Sequence, residues 1–200
     1  MKILGLTGSS GSGKAVVGRA FSVRGIPVLD TDAVYHGWIE RPTDCTEALS
    51  EAFGKEILAS DGSVDRPRLA AIVFSGDEKE QERLEILNRI THRYVLESCS
   101  AWLKEQEKEG SRAVVIDAPL LIEAGLHKTC DHVIAVLAPR ETRLARIMAR
   151  DGISRDKAEA RLSAQKPDGF YKEHADFVFV NDGEIADAER FAEIVISNIL

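Results

Sequence analysis

The stretch Gly8-Ser9-Ser10-Gly11-Ser12-Gly13-Lys14, directly behind the apolar run Ile3-Leu4-Gly5-Leu6, decides how this chain is read. It describes a strand that turns through a glycine-rich loop into a helix carrying a lysine in its first turn. Such a turn aims several backbone N–H groups, and the positive end of a helix dipole, into one small concavity. A di- or triphosphate suits that concavity, held along Gly8 to Ala15 with Lys14 as a point charge on the outer phosphates. A side chain at Gly8 or Gly13 would obstruct the loop or the approach of phosphate. The spacing G-x4-G-K is that of the P-loop. The next residue is Ala15, where the motif has a Ser or Thr whose hydroxyl ligates Mg²⁺. Glycine runs also form ordinary turns, but the lysine, the preceding strand and the following helical pattern agree separately on phosphate.

The whole chain sets wider bounds. Its 200 residues suit one α/β domain with a helical insertion. A composition of 44% hydrophobic and 30% charged residues is ordinary for a soluble globular protein. No apolar run approaches the roughly 20 residues of a membrane helix. The sequence opens at once on strand-like residues, so no signal peptide is expected. Cys45, Cys99 and Cys130 form neither a disulfide framework nor a metal-ligand pattern, which fits a reducing cytosol and a cytoplasmic protein. A net charge of −7 argues against a general binder of nucleic acid or anionic membrane. No obligate protein partner is evident. From Pro139 to Lys172, however, nine Lys/Arg face five Asp/Glu, a local excess of +4 suited to a second anion contact.

Five runs read as strands: Lys2–Thr7, Pro27–Leu29, Ala113–Ile116, His132–Leu137 and Phe177–Val180. Each is nearly continuous in apolar residues, as strands buried on both faces of a parallel sheet are. A helix from Lys14 to Arg24 carries Val17, Ala20 and Phe21 on one face and stops at Gly25. A last helix follows Asn181-Asp182-Gly183, with Ile185, Ala188, Phe191, Val195 and Ile199 on its covering face. Between the second and third strands the three/four spacing of Leu69, Ile72, Val73, Leu84, Leu87, Ile90, Tyr94, Val95, Cys99, Trp102 and Leu103 predicts a helical insertion, interrupted near Gly76-Asp77. Arg140 to Lys172 predicts a second helical segment. The expected architecture is α/β: a P-loop kinase fold with a five-stranded parallel sheet flanked by helices. The single domain divides into a core (about 1–30, 111–138 and 175–200), a helical substrate-binding insertion (about 31–110) and a lid (about 139–174).

Several side chains can carry chemistry. Asp30 and Asp32 follow the second strand and would project to one side of an extended chain, near the carboxyl ends of the strands where α/β sites form. A carboxylate there accepts a proton from an acceptor hydroxyl or holds metal through water, while one of the two can equally cap the next helix. Asp117 ends the third strand in the position of a Mg²⁺-shell carboxylate, or as a turn Asp before Pro119. Arg143, Arg146 and Arg150 share one helix face, a solvated stripe unless an anion offsets it. His92 is a weaker candidate for the substrate site. Trp38 and Trp102 read as packing residues.

As a set these residues resemble the dephospho-CoA kinase family over nearly the whole chain. The resemblance runs through Gly5-Leu6-Thr7-Gly8 into Gly11-Ser12-Gly13-Lys14, Val28-Leu29-Asp30-Thr31-Asp32, Asp65-Arg66 through Val73-Phe74, and Ile116-Asp117-Ala118-Pro119-Leu120-Leu121-Ile122-Glu123. It continues through Arg146 to Arg150-Asp151-Gly152, Arg161 with Gln165, and Ala175-Asp176-Phe177 to Asn181-Asp182-Gly183. It implies transfer of the γ-phosphoryl group of ATP to the ribose 3′-hydroxyl of dephospho-CoA, with Mg²⁺. Asp32 would then activate the acceptor, Lys14 and the loop would hold ATP, and Arg146 would neutralise developing charge from an exposed lid position. Asp32, His92, Leu120, Arg161 and Gln165 would meet the acceptor, and Asp32 with Asp117 would hold the metal through water. Three departures stand out: Ala15-Val16 for the family's Ser-Thr, Ser9 for a common Gly, and Arg93 after His92 where Pro is usual.

Ala15 keeps two other readings open. One is a nucleotide-binding protein with reduced or lost catalysis. The other is a P-loop kinase of another nucleoside, since a P-loop does not name its acceptor.

Overall fold

A computed structural model describes residues 1–200, which form two compact units. The first unit comprises Met1–Asp30 and Glu105–Leu200. Its centre is a five-stranded sheet in the order β2-β3-β1-β4-β5, built from β1 (Lys2–Thr7), β2 (Val28–Asp30), β3 (Ala113–Asp117), β4 (His132–Leu137) and β5 (Phe177–Val180). All four ladders are parallel, as the unbroken apolar runs require.

Helices cover both faces. On one side α1 (Lys14–Val23) and α9 (Ile185–Ile199) bury Val17, Phe21, Ala188 and Val195 against Leu4, Leu6, Val115, Ile134 and Val136. On the other, Tyr171 of α8 (Asp168–His174) and Ile122 pack on Ala135 and Leu137. The segment 140–172 is not one helix. It divides into α6 (Arg140–Asp151), α7 (Arg155–Ser163) and α8, because Gly152 takes the left-handed conformation (φ 63°) and Pro167 precedes the third. These helices belong to the same compact unit as the sheet. Leu144 and Ile147 of α6 bury against Ala158, with Met148, Ile153 and Leu162 around them.

Two strands run one residue further than their apolar runs. Asp30 and Asp117 are the terminal residues of β2 and β3 and stand in register with each other. Asp30 closes β2 at solvent, where its charge costs little, whereas Asp117 is buried at 8% exposure and its charge is offset by Lys14. Ile185 also departs from its expected place. It is 69% exposed at the first turn of α9, ahead of the buried Ala188, Ala192 and Val195.

The second unit, Thr31–Lys104, is helical: α2 (Thr31–Ile39), α3 (Asp44–Phe53), α4 (Arg66–Val73) and most of α5 (Glu80–Lys108). Local chemistry sets the starts. Thr43 and Thr46 form a reciprocal capping box on α3, at 3.2 and 2.9 Å. Asp65 caps α4 through the Arg68 amide at 3.1 Å, with Pro67 in the first turn. The break before α5 falls at Phe74 to Lys79, where Gly76 has a φ of 74°. Ile39, Leu49, Phe53, Ile57, Leu69, Val73 and Tyr94 form this unit's own core. Trp38 packs beside Tyr94 and donates from its indole nitrogen to Ser98 Oγ at 2.8 Å, a packing role.

Candidate active site

The loop from Gly8 to Gly13 leaves the carboxyl end of β1, beside the ends of β3 and β4 that flank it. Its glycines have physical causes. At Gly8 (φ 149°) a Cβ would lie 2.1 Å from the Val136 carbonyl oxygen. At Gly13 (φ 89°) it would lie 2.1 Å from Asn181 Nδ2, so neither position admits a side chain. Gly13 is the cap of α1, whose first amides follow it into the concavity.

Lys14 Nζ pairs with Asp117 Oδ1 at 2.8 Å, and the two side chains are 16% and 11% exposed. The pair sits across the ends of neighbouring strands, where Leu6 and Asp117 are in register. A largely desolvated cation held by a carboxylate is strongly oriented, and removing the carboxylate would leave the lysine's charge buried at a cost.

The arginine stripe of α6 meets the same loop. Arg143 Nη1 donates to Ser9 Oγ at 2.6 Å and lies 3.3 Å from Asp168 Oδ1. Arg146 Nη1 lies 3.2 Å from the Gly11 carbonyl and 3.3 Å from those of Ser12 and Asn181. Arg150 Nη2 reaches Ser10 Oγ at 3.3 Å and also pairs with Asp151. Arg146 is therefore half-buried against the loop, not the exposed residue expected, because backbone carbonyls draw its guanidinium inward.

Gln165 accepts from the Ser10 amide at 2.9 Å, so it touches the phosphate loop. Arg161 is exposed and pairs with Asp151, whose carboxyl is held below its usual range mainly by the Arg150 guanidinium, with Arg161 adding to it. Leu120 is 53% exposed in the turn after β3, whose Pro119 carbonyl accepts from Thr7 Oγ1 at 3.3 Å.

Asp32 and His92 belong to the helical unit. Asp30 and Asp32 do not share an extended segment, because α2 begins at Thr31 and puts Asp32 in its first turn. Asp32 is exposed there. His92 lies mid-way along α5, half-buried, and burial lowers its pKa from the ordinary 6.5.

Sequence reasoning passed over Asn181 as a site residue. Its side chain is buried at 5% exposure, and its Nδ2 donates to the Ser12 carbonyl at 2.8 Å. The Asn181-Asp182-Gly183 string was a visible signal, but nothing local says that this turn touches a loop 169 residues away. An open, mostly apolar groove of about 490 Å³ was missed too; Ala15, Val16, Val23 and Ile185 line it.

A parallel sheet with a phosphate loop at β1, a paired lysine and carboxylate, and arginines converging on the loop define a P-loop kinase. A shikimate kinase structure from Acinetobacter baumannii, 17% identical over the whole chain and 96% of its own, shares the fold at a TM-score of 0.53. The Dephospho-CoA kinase family model matches residues 2–187, and the chain belongs to the dephospho-CoA kinase family. It is 38% identical to the dephospho-CoA kinase of Bacillus cereus over 98% of this chain and 96% of that protein. The Arabidopsis thaliana enzyme is 37% identical, over all of this chain and 84% of its own. The solved dephospho-CoA kinase of Campylobacter jejuni has 27% identity and a TM-score of 0.71, covering the whole chain and 98% of its own.

Proposed function

We propose that this protein transfers the γ-phosphoryl group of ATP to the ribose 3′-hydroxyl of dephospho-CoA, giving CoA and ADP, and does so in the cytoplasm. The observation that carries the reading is the meeting of Arg143, Arg146, Arg150 and Gln165 with Ser9–Ser12, beside a Lys14–Asp117 pair at the strand ends. Family membership supplies the acceptor.

In this reading the loop amides and Lys14 hold the β- and γ-phosphates. The groove beside Ala15 and Ile185 suits the flat apolar face of the base. Helices α6 to α8, with Arg161, act as the lid, and the helical unit, with His92, takes the acceptor. The acceptor oxygen bonds to the γ-phosphorus as the bond to the β-bridging oxygen breaks. Asp32 takes the acceptor's proton, and the α6 arginines offset the charge that develops.

The donor set fits a magnesium ion. Mg²⁺ takes one or two carboxylates, keeps several waters and completes its shell on substrate phosphates. Asp117 offers such a carboxylate at the end of β3. Ala15 supplies no hydroxyl and is exposed, so water has access where the motif's ligand stands. When bound, the ion neutralises phosphate charge and orients the β- and γ-phosphates. Ala15 also favours a second reading, a nucleotide binder with weakened catalysis.

A coupled ADP-release assay separates the readings. Dephospho-CoA should give turnover far above adenosine, uridine or pantetheine. Equal turnover with another nucleoside would reassign the acceptor, and tight ATP binding with no turnover would favour the binding protein.

A further inference from the structure

Asn181 lies at the end of β5, fixed by its amide's bond to the Leu137 carbonyl at 2.7 Å. From this sheet-anchored position it makes two contacts with the phosphate loop's surroundings. Its Nδ2 donates to the Ser12 carbonyl at 2.8 Å, and its own carbonyl lies 3.3 Å from Arg146 Nη1. Arg146 Nη1 also meets the Ser12 and Gly11 carbonyls. A carbonyl accepts only from a donor, so the amide's orientation is settled by its partner. The next residue, Asp182, is tied to α6 through Thr142 Oγ1 at 3.0 Å.

The consequence follows from peptide geometry. In a trans peptide the C=O of one residue and the N–H of the next point in opposite directions, and the chain has no cis bond. Two donors that hold the Ser12 carbonyl on one side therefore turn the Gly13 N–H to the other. We propose that Asn181 is a positioning residue for phosphoryl transfer: together with Arg146 it clamps the Ser12–Gly13 peptide so that the Gly13 N–H faces the nucleotide phosphates. This rests on the P-loop as the ATP site and needs no assumption about the acceptor. It also assigns Arg146 a share in holding the loop, beside any part it takes in neutralising charge.

The test compares wild type, Asn181→Asp and Asn181→Ala in ADP titrations without acceptor, in steady-state kinetics, and in amide exchange at Gly13 and Lys14. Asn181→Asp keeps the volume, loses the donor and sets a carboxylate against the Ser12 carbonyl, whereas Asn181→Ala loses the donor without adding charge. Asn181→Ala should weaken ADP by about three- to tenfold, the value of one net hydrogen bond, and Asn181→Asp by more. Exchange at Gly13 should quicken, with the KM for dephospho-CoA unchanged. Combined with Arg146→Ala the losses should be less than multiplicative, because both side chains hold one carbonyl. Should the Asn181 variants fail to fold, Arg146→Lys, which keeps the charge and loses the fork, reads the same exchange at Gly13. Wild-type ADP affinity in a folded Asn181→Asp, parallel losses of ADP and acceptor affinity, or unchanged Gly13 exchange in Arg146→Lys would each overturn the proposal. Because ADP is titrated alone, an error in the acceptor assignment leaves the outcome decisive.

Discussion

Ala15 is the residue on which the chemistry turns. The loop around it keeps its glycine conformations, and Lys14 is already aimed by Asp117, so nucleotide binding has its parts without a hydroxyl at position 15. The metal's orientation does not. One missing ligand costs on the order of 1–3 kcal/mol, about ten- to a hundredfold in rate if felt only in the transition state. Ala15→Ser should raise kcat and lower the Mg²⁺ concentration for half-maximal rate, read from a titration at saturating ATP. Superimposable curves would mean that carboxylates and water already hold the ion well. Asp32→Asn should lower kcat by roughly 10²–10⁴-fold, the reach of a general base, with ADP affinity little changed. Retained turnover would make Asp32 a helix-start residue and turn attention to Asp30. The P-loop itself was legible residue by residue, because Gly8 and Gly13 sit where a Cβ collides within 2.1 Å. Asn181 was not, since its contact closes over the full length of the unit.

Among the elements, α6 carries two jobs on two faces. Leu144 and Ile147 anchor it in a small core, and Arg143, Arg146 and Arg150 meet the phosphate loop. The stripe's spacing predicted that shared face. It did not predict that Arg146 would reach backbone carbonyls, because helical periodicity names a face and says nothing of its partner. Arg146→Ala should cost roughly 10²-fold or more in kcat and should also weaken ADP. Normal kinetics with a lowered Tm would make the stripe structural. Helix α5 offers a pH test. Burial lowers the His92 pKa below 6.5, so the folded state binds fewer protons than the unfolded chain near that pH. Stability should therefore be full above about 6.5 and fall as the pH drops through and below it. His92→Gln should flatten that part of a Tm-against-pH curve, and an unchanged slope would remove His92 as its source.

At the scale of the molecule, the sheet was readable because parallel strands buried on both faces leave unbroken apolar runs. All five strands lie within a residue or so of those runs. The end of β2 was less legible, since Asp30 belongs to the ladder while looking like a loop residue, whereas Asp117 was legible as the residue that ends β3. The breaks that divide 140–172 into three helices rest on Gly152 and Pro167, which periodicity alone passes over. Family membership then turns a generic phosphate loop into a kinase with a named acceptor. The central claim is the identity of the phosphorylated atom. Incubation of the full chain with ATP, Mg²⁺ and dephospho-CoA, followed by mass spectrometry and phosphorus NMR of the product, tests it most directly. The account predicts CoA carrying a new monoester phosphate on the ribose 3′-oxygen, with equimolar ADP. Phosphate at another position, or no phosphorylated product at high enzyme concentration while ATP remains bound, would contradict it.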